Sequence, residues 1–348
     1  MSLNYNTIQA IVNTKYLPVV QNNIFTTGHF LLAKIKSKAR TYNERQIVAP
    51  IEYAKTTNIG FVSRGGVVAL SNEEILTALN YTPSMLYGTI TIYLEDELEN
   101  ASDMAVKNIL DVKMKNLQNS LQEYVANYLY TRGTAAPTAP NWNTLDYLVN
   151  NVNSVSVGGV TPTATAYTWW KSNVIDLSSG YTGDPQSEAD LQDPTKDVYL
   201  IKLLQKGIAT CKYLDNKEPD CIIVPQYIWD LLESIKDPNK TGSTMQVMVG
   251  DIGFTAINFR GIPVVDDYDL VYNQVGDTDG RMYFLNTDYI PMYMNSKAAF
   301  TATEFVKPAS MNARSSTVNC YGNLAITNRR AQTCIKNIYS PKAWSGIT

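Results

Sequence analysis

Apolar residues along this chain keep two different rhythms, and the change from one to the other divides it. Between Arg45 and Leu94 the rhythm is two. Gln46-Ile47-Val48-Ala49-Pro50-Ile51-Glu52-Tyr53 is rich in β-branched residues, and Ile90, Ile92 and Leu94 alternate with Thr and Tyr. Strand side chains point alternately to opposite faces, so both runs predict strands. Ser63-Arg64-Gly65-Gly66 between them signals a turn, and Pro50 marks an edge position or a break. The segment reads as a long β-hairpin, interrupted by a short helical piece near 72–79. A hairpin with so little apolar mass is marginal alone.

After Asn100 the rhythm changes to three and four. Ala101, Met104, Ala105, Ile109, Val112, Leu117, Leu121, Tyr124, Val125, Tyr128 and Leu129 recur at that spacing, which lines one face of a helix. Asn100 and Asp103 have the spacing of an N-cap and its partner in the first turn. Asp103 with Lys107 and Asp111 with Lys115 are favourably oriented pairs one turn apart. Arg132 and Gly133 form a stop signal. The pattern predicts one helix of about 30 residues, roughly 45 Å long at 1.5 Å per residue.

Before and after these segments the pattern is more broken. Residues 1–41 carry short apolar patches (Ile8, Ile11, Val12, Leu17, Val19, Val20) interrupted by polar residues and Pro18, the pattern of an arm that leans on something else. A short helix is predicted over 144–151, and a longer one over 197–213 with Val198, Ile201, Leu204 and Ile208 on one face. The strand Cys221-Ile222-Ile223-Val224 stops at Pro225, which suits the first turn of a helix running to Ile235. Strands are predicted over 254–259, 262–265, 282–285, 291–294, 299–305, 318–321 and 324–328, and Gly250-Asp251-Ile252-Gly253 as a turn. The fold class that follows is α+β.

Composition narrows the function. Apolar residues make up 45% of the 348, enough for a core, whereas charged residues make up only 18%, which suits a surface partly covered by other subunits. The 23 tyrosines suit half-buried sheet faces as well as interfaces. With a net charge of −3 and no basic block beyond Lys34, Lys36, Lys38 and Arg40, the chain lacks the footprint of a DNA-gripping protein. Cys211, Cys221, Cys320 and Cys334 match no zinc or redox spacing and read as buried free thiols. No charged leader with an apolar run and no stretch of about 18 apolar residues occurs, so neither signal peptide nor membrane span is expected. A triad or a histidine-ligated metal would rest on the single histidine, His29, which reads as a packed or solvent-tipped side chain. With no GxSxG, P-loop or GxGxxG either, no catalytic residue, metal or cofactor is expected.

The order of arm, hairpin, long helix, mixed lobe and closing strands resembles the tailed-bacteriophage major capsid family, whose Hong Kong 97-like fold is shared with herpesviruses and encapsulins. Five motifs carry the resemblance over nearly the whole chain: Leu94-Glu95-Asp96-Glu97-Leu98-Glu99-Asn100-Ala101 leading into the spine helix, and Tyr130-Thr131-Arg132-Gly133-Thr134 leaving it; Leu145-Asp146-Tyr147-Leu148-Val149; Val157-Gly158-Gly159-Val160 followed by Trp169-Trp170; and Gly322-Asn323-Leu324 with Asn328-Arg329-Arg330. The chain departs from the pattern at Val160-Thr161-Pro162, where many relatives continue with Asp-Arg.

The resemblance implies an N-terminal arm (1–41), an extended loop (42–97), a peripheral domain with the spine helix (98–145 and 296–348) and an axial domain (146–295). It implies hexamers and pentamers of an icosahedral virion head, assembled in the bacterial cytoplasm around double-stranded DNA. Expected partners are further copies of the chain, separate scaffolding and portal proteins, and a decoration protein. An encapsulin-type shell is the alternative. Tyr5, Ile8, Ile11 and Tyr16 on the arm, and Ile47, Ile51, Phe61 and Tyr93 on the hairpin, are the candidate contacts between subunits.

Overall fold

The computed structural model describes residues 29–68, 71–95, 103–163, 167–178, 187–215, 217–235, 245–249, 255–307 and 311–341. In chain order the elements are α1 (Phe30–Ser37), β1 (Arg40–Tyr42), β2 (Ile47–Glu52), β3 (Leu76–Tyr81), β4 (Ser84–Tyr93), α2 (Asp103–Leu129), α3 (Leu145–Leu148), β5 (Asn173–Asp176), α4 (Glu188–Gln192), α5 (Leu200–Asp215), β6 (Cys221–Val224), α6 (Gln226–Ile235), β7 (Met245–Val249), β8 (Thr255–Phe259), β9 (Ile262–Asp266), α7 (Tyr268–Tyr272), β10 (Gly280–Leu285), β11 (Met292–Asn295), β12 (Thr301–Ala302), β13 (Ala313–Leu324) and β14 (Thr333–Ile338).

The continuous apolar run of β6 has a simple cause: all four of its residues are buried, because its sheet is covered on both faces. That sheet has seven strands in the order β5-β14-β10-β6-β9-β8-β7. Alternate residues of its strands enter two different cores. Ile222, Val264, Met282, Phe284 and Ile335 pack with Leu203, Leu204 and Ile208 of α5 and with Ile228 and Leu232 of α6. Ile223, Val265, Tyr283, Leu285 and Cys334 face the other way, toward α2 and the second sheet.

The second sheet is organised by β13. One of its edges pairs antiparallel with β4 over ten positions, from Ala313↔Tyr93 to Gly322↔Ser84. Its other edge takes β11 and then β12, and β1 adds in parallel beyond β11. The helix α2, predicted through Arg132, ends at Leu129, so its 27 residues span about 40 Å. Its predicted cap, Asn100, lies outside the described residues. Met114, Leu121, Val125 and Leu129 give it a buried stripe at helical spacing.

Three expectations are corrected. The strand near 89–94 pairs with β13, not with 46–53; the hairpin partner of β2 is β3. The helical piece near 72–79 is absent, since Leu76–Tyr81 is that strand. Its helix-forming residues yield to pairing that puts Leu79 and Tyr81 opposite Ala49 and Ile47, with all four side chains buried. The strands predicted over 318–321 and 324–328 are one strand ending at Leu324, whereas 299–305 keeps only Thr301–Ala302 as strand. Within 1–41, the part from Phe30 onward packs on the chain's own body. Helix α1 buries Phe30, Leu31, Leu32 and Ile35 in the chain's own core, each contributing roughly 1.5–3 kcal/mol.

Candidate assembly surfaces

The hairpin has a rooted base and an exposed end. At the base, the Tyr81 hydroxyl donates to Ile326 O at 2.6 Å, and burial holds that phenol protonated by raising it well above its usual range. Asn80 N donates to Gly158 O at 2.8 Å, and the Tyr53 ring stacks on Trp169 with centroids 6.4 Å apart. Beyond the bond from Tyr53 N to Ile75 O, the strand ladder gives way to side chains. The Glu73 carboxylate accepts from Thr56 Oγ1 at 2.6 Å, from the Thr57 amide, and from Thr57 Oγ1. These donors, the Thr56 hydroxyl foremost, hold Glu73 below the usual carboxylate range. Asn58 and Ser71 exchange two further bonds, Nδ2 to the Ser71 carbonyl at 2.7 Å and Oγ to Oδ1 at 2.6 Å. A turn closes from Gly66 N to Ser63 O at 2.9 Å, with Gly65 at φ +85°, where a side chain would be strained.

The end presents Ile59, Phe61, Val62, Val67 and Val68 to solvent, and Phe61 is as exposed as in an open chain, at 110%. So dense an exposed apolar cluster makes the hairpin end a candidate interaction surface.

A second surface runs along the seam between α2 and β4. The helix crosses the strand at Gly88, where a Cβ would stand 2.6 Å from Leu117 Cδ1, so a side chain there would have to displace the tip of Leu117. On one side of the crossing, Met85, Tyr87, Leu121, Tyr124, Tyr128 and Trp142 line an apolar groove of about 360 Å³. Met85, Tyr87 and Tyr124 are largely exposed there, the Tyr124 and Tyr128 rings stack at 6.1 Å, and Trp142 Nε1 donates to Ser84 O at 3.1 Å. On the other side, Thr89, Thr91, Lys113, Asn116 and Ser120 line a polar groove.

The candidate contact residues separate accordingly. Phe61 is at the exposed end of the hairpin, and Tyr93 is half exposed at the end of β4. Ile51 is half buried against the core, and Ile47, only 1% exposed, is spent on the chain's own packing. Tyr5, Ile8, Ile11 and Tyr16 lie outside the described residues. Sequence reasoning missed Ile59, Val67, Val68 and the groove. Val67-Val68 directly after a Gly-Gly turn was the available signal for the first; the groove has none, because its walls come from segments that only the fold brings together.

Two polar clusters knit the body. Arg329, wholly buried, donates from Nε to Leu148 O at 3.1 Å, from Nη1 to Trp170 O at 2.8 Å and from Nη2 to Asn150 O at 2.8 Å, with its guanidinium over the Trp170 ring. Burial lowers it to about 10. Near the end of α2, His29 Nδ1 meets Asp269 Oδ2 at 2.5 Å, and Tyr130 donates to Asp267 Oδ2 at 2.8 Å. All four thiols are buried, and burial raises Cys211 to about 11 and Cys320 and Cys334 to about 12. Among the described residues no three His, Cys, Asp or Glu side chains stand where they would hold a metal, and no helix is long and apolar enough to cross a membrane.

No family model and no curated protein matches the chain. Solved structures do. A chain of the cyanophage A-1(L) capsid asymmetric unit superposes with a TM-score of 0.66 over 91% of this chain and 94% of that one, at 14% identity. The capsid of a native GTA particle gives 0.53 over 88% and 90%, at 9% identity, and the capsid of Myoviridae phage XM1 gives 0.51 over 89% and 92%, at 10% identity. At such identities the likeness is one of fold, and it extends over about nine-tenths of each chain. The chain has the mixed α+β fold of tailed-phage capsid proteins.

Proposed function

We propose that this chain is the major capsid protein of a tailed phage, a structural subunit that assembles into the hexamers and pentamers of an icosahedral head. On this proposal the fold is the Hong Kong 97-like one. Residues 1–41 are its arm, 42–97 its extended loop, 98–145 with 296–348 its peripheral domain carrying the spine α2, and 146–295 its axial domain. The subunit belongs to the virion, is assembled in the bacterial cytoplasm with separate scaffolding and portal proteins, and encloses double-stranded DNA. A net charge of −3 suits a lining along which DNA moves without adhering.

The observation that carries the proposal is the naked hairpin end on a body with a capsid fold. Five apolar side chains held in water by a projection have no stabilising role inside the subunit. Burying such side chains on a neighbour gains roughly 1.5–3 kcal/mol each before the costs of association. Repeated by symmetry, one contact of this kind closes a shell. The apolar groove beside α2 is a matching surface on the next copy.

Negative-stain electron microscopy tests this. The unaltered protein should form closed polyhedral shells, or rings of five and six, whereas F61D/V67D should remain unassembled with an unchanged melting midpoint. A chain that stays monomeric with scaffold and at high concentration overturns the capsid proposal. A double variant that assembles normally overturns the role of the hairpin end. Particles filled with protein cargo in place of DNA would identify an encapsulin-type shell.

A further inference from the structure

The chain's single histidine sits where the N-terminal segment meets the body, immediately before α1. Its imidazole Nδ1 lies 2.5 Å from Asp269 Oδ2, in a pair whose side chains are 22% and 3% exposed. Asp267 is two residues away, also buried, and accepts from the Tyr130 hydroxyl through Oδ2 and from Asp269 N through Oδ1 at 3.2 Å. Two carboxyl groups are thus enclosed at the foot of α2 with one imidazole as the nearby cation. Glu123, on α2, adds a further negative charge facing His29. Lys34 on α1 and Lys38 just after it do not offset them, since they reach Asp220 instead, at 3.6 and 2.8 Å. Apart from these pairs, α1 is held by apolar burial, which does not respond to pH.

We propose that His29, Asp269 and Asp267 form a pH-sensitive clasp, closed in mild acid and open in mild alkali, that fixes the start of α1 to the end of the spine helix.

The direction follows from both kinds of group. The hydrogen bond to Asp269 raises His29 above its ordinary 6.5 despite the opposing cost of burial. A cation so favoured by the fold contributes stability in full below 6.5 and loses it as pH rises through the raised value. Burial, with repulsion from Asp269, pushes Asp267 up to about 7. The fold therefore favours its neutral form, and stability falls as pH climbs from the ordinary carboxylate range to about 7. The two contributions share a sign, so the clasp weakens from weak acid through neutrality and is open once the imidazole is neutral.

Because there is one histidine, its titration is unambiguous. Hydrogen–deuterium exchange at the imidazole C2 position, followed by mass spectrometry across pH 5–10, reads the midpoint in the full chain. The expected midpoint lies above 6.5 and falls back toward it in D269N. A midpoint at or below 6.5 in the unaltered chain overturns the proposal. Amide exchange over residues 30–37 supplies an independent reading should D269N fail to fold. Corrected for intrinsic rates, protection there should drop about tenfold between pH 6 and 9, the scale of one charge-assisted hydrogen bond. In H29Q it should be low already at pH 6. Protection that is flat with pH, or unchanged in H29Q, also overturns the clasp.

Discussion

Arg329 offers a sharp energetic test, because its buried charge is balanced by carbonyl oxygens and not by a carboxylate. Among the described residues its three hydrogen bonds go to Leu148 at the end of α3, to Asn150 two residues on, and to Trp170. Replacing it by methionine keeps much of the volume and removes the charge. Charge-assisted bonds contribute roughly 1.5–3 kcal/mol each. In return, the lowering of the guanidinium from 12.5 to about 10 measures what its burial costs, on the order of 3 kcal/mol at 1.36 kcal/mol per pH unit. Two of the abandoned carbonyls keep another donor, Ser172 N at Asn150 O and Ser172 Oγ at Leu148 O, which softens the loss; Trp170 O keeps none among its described bonds. The net expectation for R329M is a destabilisation of about 2–5 kcal/mol, measured as the shift of the urea midpoint at constant slope. Lysine should do no better than methionine: it retains the buried charge but lacks the fork that reaches three oxygens at once. A loss below about 0.5 kcal/mol in R329M, or a lysine variant clearly more stable than the methionine one, would refute the reasoning.

Other consequences are equally open to measurement. A methyl group at Gly322 would stand 2.3 Å from the Tyr293 carbonyl oxygen, so G322A must spread β11 from β13; a cost of about 1–3 kcal/mol and a lower melting midpoint are expected. Thiol reagents at pH 8 should leave all four cysteines unmodified in the native chain and modify all four after denaturation, since every thiol is buried and raised. Rapid modification of any of them under native conditions would contradict the packing. Replacing Glu73 by glutamine should speed amide exchange across the described part of 54–72 while leaving the melting midpoint in place. As Glu73 is held below its ordinary value, acidifying the unaltered chain below that value and through the lowered one should produce the same loosening.

What was legible in the sequence was whatever a local rhythm encodes. The helix α2 follows from apolar steps of three and four and the buried strand Cys221–Val224 from an unbroken apolar run, and the short helix expected over 144–151 is present as Leu145–Leu148, with Thr144 accepting from Tyr147 N. Pairing across long separations was not legible. The run 89–94 carries a strand signal but nothing that names Ala313–Leu324 as its partner, so it was joined to the nearer strand. Residues 72–79 have helical composition and become a strand because Ile47 and Ala49 offer a buried surface to pair with. Strands 173–176 and 333–338 were missed: the first is a half-buried edge strand and the second lies inside the sheet, and in neither does burial alternate along the strand. His29 was read as packed or solvent-tipped and is partly buried, and its partner 240 residues away had no local trace. On the candidate surfaces, Phe61 stood out by itself; its companions and the groove needed the fold.

The ladder between β4 and β13 also sets a timetable. Its two strands lie roughly 230 residues apart, so on a ribosome adding about 5–20 residues per second the first waits some 10–50 seconds for the second. The spine helix rests on β4 at Gly88, which means that its seat is only half built throughout that interval. Contacts of such long sequence separation also form slowly once the chain is free. A nascent chain can thus expose its hairpin end well before the seam beside α2 exists. On the assembly proposal above, the order of synthesis keeps one of the two surfaces unfinished until Ala313–Leu324 has been made.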